Sequence, residues 1–253
     1  GVLASSTDAV TWTVRTSQTT SSILTMTVGA GVYVYGGVGG VIASSTDATT
    51  WTARTSQTTS SILRMVFGNS IFVYVGGSGA IGTSTDGTTW TARTAPNTGS
   101  YFNLVWNGSQ FVAYKNPGNR ITSTDGITWV DANVSKSLGS ISGIAFGNSV
   151  YVVSASALAG GINTSTDFVT FSTVNNNSIT VSYSGVTFAN NVFVLNSTST
   201  ASLNYVFTST NGNTWNINRI GSDRTLLYSG IATVFSGDSV FVALSPNNTI
   251  FTS

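Results

Sequence analysis

The chain of 253 residues contains no cysteine, no histidine and no glutamate. Those absences remove disulfides, thiol nucleophiles, imidazole bases and the usual zinc sites before any motif is sought. Charge is scarce too: 7% of residues are charged, against roughly 25% in a typical soluble domain. All eight acidic residues are Asp, the nine basic ones are spread thinly, and the net charge is +1. No basic cluster marks a nucleic-acid or acidic-membrane surface. No apolar run reaches the roughly 18 residues of a membrane-spanning helix, and the first residues form no basic, apolar leader. The expectation is a mature, soluble chain without nucleic-acid partners or membrane insertion.

Hydroxyls take the place of charge. Nearly a third of the residues are Ser or Thr, and 41% are hydrophobic, enough for a core of ordinary size. Without cysteine, stability has to come from packing and ladder hydrogen bonds, which suits an extracellular or virion-surface location.

Internal repetition organises the sequence. Residues 4–24 return almost unchanged as residues 43–63. A shorter core, Ser-Thr-Asp-x-x-Thr-Trp, called the box below, starts at Ser6, Ser45, Ser84 and Ser123. Two variants follow: Ser165 to Phe171 with Phe in place of Trp, and Ser209 to Trp215 with Asn211 in place of Asp. The acidic position falls at 8, 47, 86, 125, 167 and 211, so the spacings are 39, 39, 39, 42 and 44. Each unit reads as four short strands; in the second they are Ser61 to Phe67, Ile71 to Val75, Ala80 to Ser84 and Thr89 to Arg93. Gly68-Asn69, Asn107-Gly108, Gly147-Asn148, Asn190-Asn191 and Gly237-Asp238 supply hairpin turns, because Gly, Asn and Asp tolerate positive φ. Val, Ile, Thr, Tyr and Phe fill the strands, and no stretch has sustained helical periodicity. Six four-stranded units of about 40 residues predict an all-β, six-bladed β-propeller of antiparallel blades, occupying residues 1–253 as one domain.

These repeats resemble the Asp-box, or bacterial neuraminidase repeat, over nearly the full chain, and also repeats of phage structural and tail-associated proteins and of secreted bacterial surface proteins. The resemblance implies that the box turns between the third and fourth strands of a blade. Asp8, Asp47, Asp86, Asp125 and Asp167, with Asn211 in the last copy, would then accept backbone N–H bonds, and Trp12, Trp51, Trp90, Trp129 and Trp215 would pack against the sheet. Ala9, Ala48 and Phe168 stand where Gly is common in that family, which predicts an altered turn there.

Blade boundaries do not coincide with the ends of the sequence. Val2, Leu3, Ala4, Ser5 and Ser6 align with Val41 to Ser45, a third strand, and Trp12 opens a fourth. At the other end Thr249, Ile250, Phe251, Thr252 and Ser253 align with Tyr205 to Ser209, again a third strand. Closure is expected through a strand latch in which the N-terminal fourth strand completes the last blade, leaving one third strand in surplus. Two readings stay open: slack at a blade edge, or pairing of an end strand with a second copy, building a head-to-tail oligomer or filament.

Candidate chemistry is thin. Glycoside hydrolysis ordinarily needs two carboxyl groups about 5–9.5 Å apart, yet five Asp are assigned to boxes, Asp238 lies in a turn, and Asp131 and Asp223 sit in different units without a motif. Arg15, Arg54 and Arg93 recur at one repeat position, which speaks for structure. No calcium or phosphate loop occurs, so no metal, no cofactor and no enzymatic activity are expected. Cell-surface glycan is the alternative partner, with Tyr101, Trp106 and Tyr114 as aromatic platforms, and Tyr33, Tyr35 and Tyr74 behind them. The loops share no common polar set, however, and Thr25, Arg64, Asn103, Gly143 and Gly185, one repeat position expected near a central channel, are unlike one another. Sequons at Asn107, Asn133, Asn163, Asn176, Asn196 and Asn247 match the number chance supplies.

Overall fold

In the computed structural model, which describes residues 1–8, 11–115, 119–132, 138, 141–155, 161–174, 182–198, 205–219, 233–237, 240–244 and 250–252, the chain divides into residues 1–133 and 134–253. The first unit opens with a hairpin of β1 (Leu3–Ser5) and β2 (Thr13–Arg15). Three four-stranded antiparallel sheets follow. They comprise β3 (Ile23–Gly29), β4 (Val32–Gly37), β5 (Ile42–Ser45) and β6 (Thr52–Arg54); β7 (Ile62–Gly68), β8 (Ile71–Gly76), β9 (Ile81–Ser84) and β10 (Thr91–Arg93); and β11 (Tyr101–Trp106), β12 (Phe111–Lys115), β13 (Asn119–Ser123) and β14 (Val130–Asp131).

The second unit contains β15 (Ile141–Gly147), β16 (Val150–Ala155), β17 (Ile162–Ser165) and β18 (Ser172–Val174), then β19 (Ser182–Ala189), β20 (Val192–Thr198), β21 (Tyr205–Ser209) and β22 (Asn216–Arg219). It ends in a three-stranded sheet of β23 (Thr233–Gly237), β24 (Val240–Leu244) and β25 (Ile250–Thr252). The architecture is a six-bladed β-propeller of antiparallel sheets.

Register identifies the terminal strands. Leu3 pairs Arg15 and Ala4 pairs Val14, as Ile42 pairs Arg54 and Ala43 pairs Ala53 in the next sheet, so β1 and β2 are third and fourth strands. In the second unit β25 pairs β24 as a third strand does. Thr249 and Ser253 lie outside the described residues.

The core lies between successive sheets. Val34 and Ile42 of one blade meet Ile62, Met65, Phe72, Tyr74 and Trp90 of the next. Val73, Val75 and Ile81 then meet Tyr101, Leu104, Phe111, Ile121 and Trp129. Because both faces of an inner strand are covered, β8 reads as a continuous apolar run, Phe72 to Val75, in place of an alternating one.

Close approach depends on glycines at the ends of first strands. A Cβ on Gly29 would lie 2.0 Å from the Phe67 ring, and one on Gly68 would lie 2.4 Å from the Trp106 ring, so each aromatic beds on the bare backbone of the preceding blade. A second tie crosses the hairpins: Asn69 Nδ2 donates to the Thr124 carbonyl at 3.2 Å, and in the second unit Asn148 Nδ2 donates to that of Thr210 at 2.9 Å.

The first blade lacks this clasp, because Ala30 occupies the Asn69 position at φ 48°. Ala30→Asn is expected to stabilise the chain by about 1 kcal/mol, through a new bond to Thr85 and relief of left-handed strain. Urea denaturation checks this; an unchanged or lowered midpoint refutes the clasp.

Candidate interaction site

The six boxes form one hydrogen-bonded turn. Ser45 Oγ donates to Asp47 Oδ1 at 2.8 Å, and the same Oδ1 accepts the backbone N–H groups of Thr49 and Thr50 at 2.8 and 2.7 Å. Asp86 repeats the pattern with Thr88 and Thr89, Asp125 with Ile127 and Thr128, and Asp167 with Val169 and Thr170. Asp8 accepts from Thr11 at 2.7 Å. Asn211 Oδ1 accepts from Asn213 and Thr214 at 2.9 Å each, so a neutral amide suffices. These donors hold the carboxyls of Asp47, Asp86 and Asp167 well below the usual carboxylate range and lower that of Asp125.

The altered turn expected at Ala48 and Phe168 does not occur. Ala48 has φ 56° and Phe168 φ 57°, beside Gly87 at 70° and Gly126 at 72°, so the hydrogen-bond set imposes the left-handed conformation on whatever side chain is present. Ala9 lies outside the described residues. Trp51, Trp90 and Trp129 are buried, as the resemblance implies; Trp12 and Trp215 are half-buried. Nε1 of Trp51, Trp129 and Trp215 donates to the carbonyl of residue 48, 126 and 212 respectively, whereas Nε1 of Trp90 is buried without a partner.

The aromatic platforms for glycan are corrected. Tyr101 and Tyr114 are fully buried in the third blade, where β12 is covered on both faces. Tyr101 donates its hydroxyl to Asn97 Oδ1 at 2.7 Å, and burial, with the nearby Asp131 carboxylate, pushes its pKa up to about 12. Trp106 is half-buried, with its ring 4.5 Å from Phe111 and bedded on Gly68. Tyr101 and Tyr114 offer no ring face to a sugar. Tyr35 and Tyr74 are buried as well, and Asn163 is a fully buried strand residue in place of an accessible sequon.

An open surface lies at the opposite ends of the strands, and the sequence reading missed it. Every complete blade carries a register shift near the start of its first strand, between Ile23 and Thr25, Ile62 and Arg64, and Tyr101 and Asn103 in the first unit. Such a bulge turns one extra residue out of the ladder. The extruded residues are Leu24, Leu63 and Phe102; Leu24 is 39% and Phe102 41% exposed. In the second unit the shifts at 141/143 and 183/185 extrude Ser142 and Ser184, so the bulge itself does not require an apolar residue.

Arg64 follows the middle bulge. The residue as a whole is exposed, its Nη1 donates to the Leu63 carbonyl at 2.7 Å, and the protein packed around the guanidinium desolvates it and lowers its pKa. Thr25, at the matching position, accepts the Met65 N–H at 3.0 Å, which ties β3 to β7. The signal for this surface was present in the repeat alignment as Leu-Leu-Phe against Ser-Ser, but its exposure depends on the bulge. Among the described residues no group of three or more acidic, His or Cys side chains is placed to hold a metal ion.

No protein-family model matches the chain, and no curated protein matches it in sequence. Solved structures do. YCF48 bound to D1 peptide superposes with a TM-score of 0.71 and 16% identity, covering 93% of this chain and 78% of that one. A catalytically inactive virginiamycin B lyase from Staphylococcus aureus with quinupristin gives 0.72 and 13% identity, covering 94% of this chain and 86% of that one. A nidogen/laminin complex gives 0.61 and 13%, with 81% of this chain and 83% of that one covered. These structures are β-propellers, and likeness at such identity is one of fold.

Two outcomes follow for the boxes. The depressed aspartates contribute stability that is complete above the unfolded carboxylate value near pH 4 and is lost as pH falls through the lower folded values. The thermal midpoint is therefore expected to be level down to about pH 5 and to drop below about pH 4, with a shallower drop in Asp47→Asn; an identical acid profile in the variant refutes this assignment. Ala48→Gly is expected to add about 1 kcal/mol by removing left-handed strain. Phe168→Gly loses stability, because it deletes a fully buried ring that packs on Tyr151 and Phe171.

Proposed function

We propose that this chain is a non-enzymatic propeller that binds protein, at a cell or virion surface, and that its partners include further copies of itself. The observation that carries this reading is the bulge end of the first unit, where Leu24 and Phe102 are exposed and Leu63 is half-buried, on sheets that carry basic residues at the same end. Exposed apolar side chains among cations suit a protein surface better than a sugar or a nucleotide. The structural neighbours include complexes with a peptide and with a protein, which supports an interaction role for the fold. Virginiamycin B lyase is the enzymatic counter-example; against catalysis here stands the use of the box carboxylates as turn acceptors, with Asp131 bound to Asn97. The hydrogen-bonded Ser-Thr-Asp turn supports kinship with Asp-box repeats.

Self-association through strand pairing is supported by the strand inventory. The described residues supply six first, six second and six fourth strands but seven third strands. Among them β1 pairs β2 and β25 pairs β24, and a third strand can take a further strand on its other side. Sedimentation velocity at physiological ionic strength is expected to show oligomers that persist in high salt, since ladder hydrogen bonds are weakly screened. Ala4→Pro, which removes a strand donor from β1, shifts them to monomer. A wild-type chain that stays monomeric through the micromolar range refutes self-association.

A further inference from the structure

The charges that look scattered in the sequence are segregated by the fold. In blade two, the pairs Arg64 with Val75, Val75 with Ile81 and Ile81 with Arg93 set both arginines in one cross-strand row at the bulge end. Arg54 pairs Ile42 and Arg15 pairs Leu3 at the same end of their sheets. Arg120 pairs Tyr114, and Lys115 ends β12, so all six described arginines and lysines of the first unit occupy strand positions at the bulge end, although the side chains of Arg15, Arg54 and Arg93 lean back along the sheet. Asp131 is the one described carboxylate there. Asp8, Asp47, Asp86 and Asp125 occupy the turns at the other end, about 15 Å away along a strand, and are exposed.

The two sets share one period and one place in the blade. Asp47 and Arg54, Asp86 and Arg93, and Asp8 and Arg15 are each seven residues apart on one strand hairpin, and the pairs repeat every 39 residues. The arginines are held in place. Nε of Arg15, Arg54 and Arg93 donates to the hydroxyl of Ser5, Ser44 and Thr83 at 2.8, 2.9 and 2.9 Å, and none of these partners is a carboxylate. Apolar side chains accompany both sets: Val28 and Ile127, 54% and 48% exposed, at the box end, and Leu24 and Phe102 at the bulge end.

We propose that a second copy of this chain docks its box end on the bulge end, so that the aspartates of one copy meet the arginines of the next. This rests on the protein-binding reading above and names the partner of that surface. The contact joins two different surfaces at opposite ends of the strands, so each added copy extends the assembly along the strand direction as a stack. Attraction between exposed charges is screened, so stacking is strong at low ionic strength and weak at high.

Sedimentation velocity of the full chain at about 10 mM and about 300 mM salt, where the screening length shrinks several-fold, tests the stack. Association beyond any salt-resistant strand-paired species is expected at low salt, with an apparent dissociation constant at least tenfold higher in the stronger salt. The triple variant Asp47→Asn, Asp86→Asn, Asp125→Asn keeps the turn, since Asn211 already builds it, and is expected to lose this salt-sensitive association with unchanged circular dichroism. Should the triple variant fold poorly, Arg54→Gln with Arg93→Gln removes the opposite surface; this variant is expected to lose the salt-sensitive association alone and to regain it with wild type through its intact aspartates. Wild type that is monomeric at low salt, or variants that stack as wild type does, overturns the proposal. Oligomers that resist salt and survive the triple variant but dissociate with Ala4→Pro overturn stacking and leave strand pairing standing.

Discussion

A sheet of four short strands, the outermost two to four residues long, cannot bury its own side chains; here each complete sheet borrows a cover from its neighbours. Val73 and Val75 of the second blade face Tyr101 and Phe111 of the third, and Val34 of the first faces Phe72 and Tyr74 of the second. The apolar contact between successive blades is the constraint on which the remaining features depend. It explains why β8 and β12 are buried along nearly their whole length, and why Gly29 and Gly68 stand where a neighbouring ring arrives. It also explains why three of the box tryptophans belong to the interior, since the box is the end of the strand pair that the preceding blade covers.

The boxes then solve the problem left by that packing. A tight connection between third and fourth strands leaves backbone N–H groups without ladder partners, and burial of such groups is costly. One side-chain oxygen per turn satisfies two of them. Because Asn211 does the same as Asp47, the requirement is for an acceptor of the right length and not for charge. The carboxylates are thus structural in their local role, yet their charge persists at the surface, concentrated at one end of the blades. The same repetition that stabilises every blade also lines up its charges.

Specialisation appears where repetition permits it. The first-strand bulge recurs in every complete blade, but its extruded residue is Leu, Leu and Phe in the first unit and Ser in the second. The position after it is Thr25, Arg64, Asn103, Gly143 or Gly185, of which Thr25 makes a contact that joins blades and Arg64 makes none to a carboxylate. Positions outside the packed interface and outside the turn are free to vary, and the outward-facing apolar and cationic residues gather at those positions.

The sequence by itself determined the number of blades, the four-strand unit and the turn chemistry, because period, β-branched runs and the Ser-Thr-Asp box are local properties of neighbouring residues. Strand ends in the second blade fall within a residue or two of those expected. It did not determine which aromatics are available. Strand aromatics such as Tyr101 and Tyr114 read as core more readily than as platforms, but only the arrival of adjacent sheets on both sides decides that they are buried. Nor did it reveal the bulge or the separation of charge. A bulge is a mismatch between two strands, and the sign of a strand end is set by register across four of them, so both exist only once non-local pairing has brought Arg64 and Arg93 into one row.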